Sequence, residues 1–262
     1  MRRRAILLTG LGVLAYLVAL VVQVPAGWAL HWSRGSLPAG IEWQGGEGSI
    51  WHPRVRAVTV NLPAGNRLAV APAELRVQPL RMLTGRLAVK ARAGLLGGET
   101  RARGSVGLDG NWRVARAQGS LELAALSSVG PLLDFAQEGR LLFAARDLKG
   151  ARLPAGGTFR ASLEGFRVGW VDSPGPLGEY RLEGRVTGPG RIKGRVRTTE
   201  AGSLGLKGRL QADLRAGRAR FDGEAWATDD APDTVRDLLS MLGRVEGNRT
   251  RIQWRGRFRG VR

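Results

Sequence analysis

"GEYRLEGRVT", Gly178 to Thr187, alternates without a break. Tyr180, Leu182, Gly184 and Val186 fall on one side, and Glu179, Arg181, Glu183, Arg185 and Thr187 on the other. A period of two places successive side chains on opposite faces of an extended strand. An apolar row against a charged row marks a strand buried on one face only. The next segment, "GRIKGRVRT", repeats the pattern with Ile192, Gly194 and Val196 against Arg191, Lys193, Arg195 and Arg197. "SLGLKGRLQADL" sets Leu204, Leu206, Gly208, Leu210, Ala212 and Leu214 inward. "TRIQWRGRFRG" sets Ile252, Trp254, Gly256 and Phe258 against Arg251, Gln253, Arg255, Arg257 and Arg259. Similar alternation occurs near 55–62, 67–77, 85–93, 100–108, 112–123, 140–148 and 158–170.

About a dozen strands follow from this count. One wet and one apolar face is the habit of antiparallel sheet. The fold class expected is therefore mainly β: a curved, twisted antiparallel sheet, a groove or partly open barrel, with two short helices. Glycines on the inward row mark bends or bulges. In "FRASLEGFRVGW" the inward set slips from Phe159, Ala161 and Leu163 to Phe166, Val168 and Trp170, which predicts a bulge or turn at Glu164–Gly165. The first helical piece is expected within Leu123–Gly139, started by Pro131 and carrying Leu132, Leu133 and Phe135. The second is expected in "DDAPDTVRDLLSMLGR", with Asp230 as N-cap, Pro232 in the first turn, Val235, Leu238, Leu239 and Leu242 at helical spacing, and Gly243 as the stop.

Arg2, Arg3 and Arg4 precede Ala5 to Val24, twenty residues without a charge. Such a length of helix crosses a hydrocarbon core of about 30 Å. Trp28 and Trp32 follow where interfacial aromatics belong, and the basic tip holds the N-terminus in the cytoplasm. Residues 1–30 thus read as a cytoplasmic tip and single transmembrane anchor, and 31–262 as an extracytoplasmic β-rich domain. Two similar halves are suggested, about 40–150 and 151–262, each of strands with a Leu-rich helical piece. A cleavable signal peptide is the competing reading, although the apolar stretch exceeds the usual 7–15-residue core.

The 262 residues carry 41 Lys and Arg against 22 Asp and Glu, a net charge of +19. That charge suits anionic partners. An outward row of Arg also discourages edge-to-edge pairing of sheets, which is the plainer explanation. Nucleic acid is not expected, because the outward rows mix Arg with Glu and Thr without aromatics for bases to stack on, Trp170, Trp254 and Phe258 belonging to the apolar rows. With no cysteine, disulfides and thiolate sites are excluded. The two histidines, His31 and His52, fall at the expected membrane surface and before Pro53. No Gly-x-Ser-x-Gly, His-Glu-x-x-His or phosphate-binding loop occurs, and "GLGVLA" at Gly10–Ala15 lies inside the apolar run. No enzyme, catalytic residue, metal or cofactor is expected.

"GIEWQGGEGSIWHPRV", Gly40 to Val55, separates anchor from sheet. Gly45, Gly46 and Gly48 read as a tight connection, with Ser49 in it. Trp43 and Trp51 then pack over the end of the sheet, or else sit as ordinary core residues at a hairpin.

Taken together, the basic tip and single span, "GGEGSIWHPRV", "LRVQPLRMLTGRLAVKA" (Leu75–Ala91), "PLGEYRLEG" (Pro176–Gly184) and "LLSMLGRVEGNRTRIQWRGRF" (Leu238–Phe258) resemble type II secretion system protein N. In this chain His follows Trp51, where that family more often has Gly or Ser. The resemblance implies a non-enzymatic accessory subunit of general secretion. It would sit at the inner membrane of a Gram-negative bacterium with its domain in the periplasm, and its partners would be other secretion subunits. It implies no catalytic residue. A second reading is a lipid-binding or lipid-transfer protein, similar to AsmA-type grooves. Tyr180, Leu182, Val186, Ile192, Val196, Leu204, Leu206, Leu210, Ile252, Trp254 and Phe258 would line the path of phospholipid or lipopolysaccharide acyl chains. A third, weaker reading is binding of anionic envelope polymer through the arginine surface.

Overall fold

The computed structural model describes residues 27, 41–61, 67–126, 136–169 and 175–257. Residues 5–24, the expected anchor, lie outside them, as do His31, Pro131–Phe135 and Phe258. Among the described residues no helix is long and apolar enough to cross a membrane.

One antiparallel sheet of fourteen strands contains almost all the rest. Its first half comprises β1 (Ile41–Glu47), β2 (Arg54–Asn61), β3 (Arg67–Gln78), β4 (Arg86–Leu95), β5 (Gly98–Gly107) and β6 (Trp112–Glu122). After a short helix α1 (Leu123–Leu126) come β7 (Ala136–Gly150), β8 (Pro154–Val168), β9 (Gly178–Gly188), β10 (Arg191–Ala201), β11 (Leu204–Asp213) and β12 (Arg218–Ala227). Helix α2 (Asp233–Leu242), β13 (Arg244–Glu246) and β14 (Arg249–Arg257) finish it. Each strand from β1 to β12 pairs with its neighbour in sequence; β14 then pairs with β12, and β13 lies outside β14. The sheet is open, with β1 and β13 at its two edges.

Short turns pin the register. Leu96 (φ 47°) and Gly97 (φ 76°) make a two-residue hairpin between β4 and β5, the left-handed geometry that matches strand twist. The slip expected at Glu164–Gly165 is a bulge: Arg140 pairs with Glu164 but Glu138 with Arg167, and Gly165 has φ +61°. That extra residue returns Phe166 and Val168 to the apolar side.

Two expectations are corrected, that for the Gly45–Gly48 stretch and that for the start of the second helix. Ile41–Glu47 is a strand, so Gly45 and Gly46 lie inside β1 rather than in a connection before the first strand. The turn comes later, at Gly48–Pro53, where His52 N–H donates to the Ser49 carbonyl at 3.0 Å. Gly48 is required there, because φ is +87° and a Cβ would lie 2.5 Å from the His52 carbonyl oxygen. Within Leu123–Gly139, Leu123–Leu126 is helical and Ala136–Gly139 already belong to β7, while Pro131–Phe135, on which the first helical piece was expected, lie outside the described residues. The second begins at Asp233 with Pro232 as N-cap and no side-chain cap. Asp230 therefore does not cap it; instead Arg236 bridges the first turn, donating to Asp233 at 2.7 Å and to the Asp229 carbonyl at 3.2 Å.

In an antiparallel meander the even strands up to β12 end on one side, so α1 and α2 sit at the same end of the sheet. The compact core is there. Val235, fully buried, packs with Val168, Leu177 and Ala231, flanked by Phe166, Leu204 and Ala227. Each Val or Leu side chain contributes about 1.5–3 kcal/mol when fully buried. Tyr180 is buried beside them, edge-on to Phe166 with ring centroids 6.2 Å apart, and its hydroxyl donates to the Leu204 carbonyl at 2.9 Å. Burial raises the Tyr180 pKa well above that of a free phenol.

Candidate functional site

Pairing partners share a face, so the registers trace rows across the sheet. One row runs Leu75, Ala91, Ala102, Ala117, Ala145, Phe159, Gly184, Gly194, Leu210, Phe221, Trp254, from β3 to β14. The row beside it runs Val55, Ala73, Ala93, Thr100, Gly119, Phe143, Ala161, Leu182, Val196, Gly208, Gly223, Ile252. Neither row contains a charge. At about 4.8 Å per strand this apolar face is some 50 Å wide.

The helix-capped end of that face is covered, and Val55 and Val186 are buried towards its other end. Elsewhere, Leu87, Val106 and Trp254 stay 37 %, 48 % and 52 % exposed, although all three are on the apolar side. An exposed apolar surface of this extent is a binding surface or a liability. The surface is also smooth, because its rings lie down on glycines. A Cβ on Gly119 would lie 2.8 Å from the Phe143 ring, and one on Gly208 2.5 Å from Phe221. The Phe159 ring covers Gly184, and Trp254 covers Gly256, in the same manner. A ring folded onto a bare backbone gives area without height.

The opposite face is charged. Its central row runs Arg76, Lys90, Arg103, Arg116, Arg146, Thr158, Arg185, Lys193, Gln211, Arg220, Arg255, with no acid in it. The row two residues along mixes signs: Glu74, Arg92, Arg101, Gln118, Ala144, Arg160, Glu183, Arg195, Arg209, Asp222, Gln253. Ion pairs tie that side together. Arg160 reaches Glu183 at 3.0 Å, Arg101 reaches Glu99 at 2.9 Å, and Glu224 takes both Lys207 at 3.1 Å and Arg249 at 3.0 Å. Over β10–β14 the charged face has an open depression of about 1000 Å³, with Gly208 and Gly223 in its lining. Trp226 lies on this face too, opposite Gly205, with the Arg249 guanidinium 5.6 Å from its ring centroid.

Among the described residues, the carboxylates whose protonation is displaced all move in one direction. Hydrogen bonds from Lys207 and Arg249 hold Glu224 below the usual range, as Arg220 does Asp222, Arg113 does Asp147 and Arg101 does Glu99. A general acid at neutral pH needs the opposite shift. These are surface pairs, fixing strand faces rather than moving protons.

The structure places Tyr180, Leu182, Val186, Ile192, Val196, Leu204, Leu206, Leu210, Ile252 and Trp254 together on the apolar face. Tyr180 and Val186 are buried, Trp254 is exposed, and the others lie between. Phe143 and Phe221 share the face without having been singled out from the sequence; their signal is a phenylalanine on an apolar row beside a row glycine. Trp51 is half-buried in the turn after β1, and its carbonyl accepts the Val77 N–H at 2.8 Å. Trp43 pairs with Val58 in β1, and its side chain lies outside the description, as does that of Leu242. Ser49 forms an isolated bridge in the turn. A Cβ on Gly243 would strike the Arg251 carbonyl, so only glycine lets α2 close onto β14.

A family model, type II secretion system (T2SS), protein N, matches residues 39–253. The chain belongs to that family. The match begins two residues before β1 and ends within β14, so it covers the two faces just described. No curated protein and no solved structure matches the chain. Membership in the protein N family makes the chain a component of a bacterial envelope machine whose other subunits are its expected partners.

Proposed function

We propose that the chain is a non-enzymatic accessory subunit of the type II secretion system, supporting protein export across the outer membrane. The family match over residues 39–253 carries this reading. In it, residues 5–24 span the inner membrane, Arg2–Arg4 stay in the cytoplasm, and the sheet stands in the periplasm. The uncharged length of 5–24 and the three preceding arginines support that topology. Trp43 and Trp51, at the edge strand and its turn, would orient the sheet relative to the anchor.

Deletion in the native bacterium tests the assignment. Exported enzymes should fall in the medium and accumulate in the periplasm, and the gene supplied in trans should restore them. Unchanged export of every substrate would refute it. A C-terminal tag should be cut by protease added to spheroplasts but not to intact cells.

A second reading is supported by one observation, the largely uncovered apolar face. A smooth uncharged surface open at one end suits acyl chains, as in a lipid-binding or lipid-transfer protein taking phospholipid or lipopolysaccharide. Mass spectrometry of lipid extracted from the purified chain tests it. Lipid that is recovered from the parent but lost in Phe221→Glu would support this path; equal recovery from both would refute it.

A further inference from the structure

The central row of the charged face asks for a partner. Residues directly opposite on paired strands lie about 5 Å apart, and like charges there work against pairing. Arg76, Lys90, Arg103, Arg116 and Arg146 stand in that relation on five consecutive strands. All five are exposed, and among the described residues none is in an ion pair with a carboxylate. Acids are available on this face, yet they stand beside the row and pair elsewhere: Glu74 with Arg54, Glu183 with Arg160 and Arg197, and Glu99 with Arg101. Alternation of polar and apolar residues accounts for a charged face. It does not account for one row with cations on five consecutive strands and no acid beside another of mixed sign.

The shape of the row selects the kind of anion. It is one residue wide and runs perpendicular to the strands, continuing through Arg185 and Lys193 towards β14. A flat anionic membrane pressed on this face would also meet Glu74, Glu183 and Asp222 in the adjacent row. An extended chain would touch the cations alone. Guanidinium forks, which dominate the row, pair bidentately with carboxylates. We infer that this row is the docking track for an extended acidic segment of a partner protein, held through its Asp and Glu carboxylates. The inference rests on the proposed secretion role in one respect: the neighbours of a subunit in such a machine are proteins.

The full chain in non-ionic detergent, titrated with a fluorescent poly-glutamate peptide of about twenty residues, tests it. The parent should bind, and more weakly as salt is raised. Arg103→Ser, Arg116→Ser and Arg146→Ser combined should weaken binding about ten-fold, at a few tenths of a decade per exposed pair. Arg92→Ser, Arg195→Ser and Arg209→Ser combined remove the same charge from the adjacent row and should change binding by less than about two-fold. Both variants should keep the parent's β circular dichroism. Equal weakening by the two triples would overturn the track, as would a parent that ignores poly-glutamate. Phosphatidylglycerol vesicles and polygalacturonate form the comparison arms; a row variant that loses these but keeps poly-glutamate also overturns it. If the row variant fails to fold, a photo-crosslinking poly-glutamate on the parent decides. Crosslinks on β4–β7 support the track, and crosslinks confined elsewhere refute it. The secretion role fails separately, through normal export in the deletion strain.

Discussion

Gly208→Ala puts one methyl group where the Phe221 ring now lies. The new Cβ would be 2.5 Å and 2.7 Å from two ring carbons and 2.8 Å from the Asp222 carbonyl oxygen. The ring can turn upright, but the carbonyl belongs to the paired strand β12 and yields only by parting the backbones. Overpacking of this kind costs about 1–3 kcal/mol. Alanine restricts the unfolded chain and returns about 0.4–1 kcal/mol. The balance is a loss of about 1–2 kcal/mol. In a domain of this size each kcal/mol moves the melting temperature by about 2–4 °C, so a fall of about 2–8 °C is expected by circular dichroism. The decisive measurement is the same substitution on a Phe221→Leu background. If the ring is the obstacle, the alanine should cost about 1 kcal/mol less there. A Gly208→Ala chain that melts higher than its parent, or an equal cost on both backgrounds, would refute the idea that rings lie on glycines.

Val235→Asp buries an unpaired carboxylate at the fully buried centre of the capped end. It should cost more than about 3 kcal/mol and expose α2 to proteolysis before the sheet melts. Tyr180→Phe removes the hydroxyl that donates to Leu204 and should cost about 0.5–1.5 kcal/mol near neutral pH. Because the folded phenol has the higher pKa, its contribution is complete below the free value of 10.0 and fades as pH rises above it. The parent should therefore lose stability more steeply than Tyr180→Phe above pH 10, seen in melting temperature against pH. Trp254→Glu alters a ring that is 52 % exposed, so stability should change by only about 0.5 kcal/mol. The same change should lower the fluorescence of a solvatochromic apolar dye bound to the sheet; unchanged dye binding would show that the face is not open.

Alternation made the strands legible, since Tyr180–Val186 and Ile192–Val196 are apolar on alternate residues and charged between, and Leu204–Ala212 sets Lys207, Arg209 and Gln211 between apolar positions. β1 was not legible for the converse reason. Gly45, Gly46 and Gly48 read as a turn, and what makes Ile41–Glu47 a strand is its partner β2. α2 was legible from Val235, Leu238 and Leu239, but its start was not. Pro232 takes the cap position with extended backbone, and Arg236 does the work expected of Asp230. The apolar residues of the candidate site could be named, while their lateral order could not. That Phe159 meets Gly184 and that Arg116 meets Arg146 depend on turn lengths and on the bulges in β6 and β7. The three-residue β13, and its place outside β14, carry no sequence signal of their own.

From β2 to β12 every strand finds a partner in the strand made immediately before it. A chain wired in this way can assemble by accretion as it is synthesised, each new strand needing only the last one laid down. Closing such short loops costs little entropy, which favours rapid growth. The one step that cannot proceed in order is the last. β14 must slide between β12 and β13, so the growing edge stays unsealed until Arg249–Arg257 arrive.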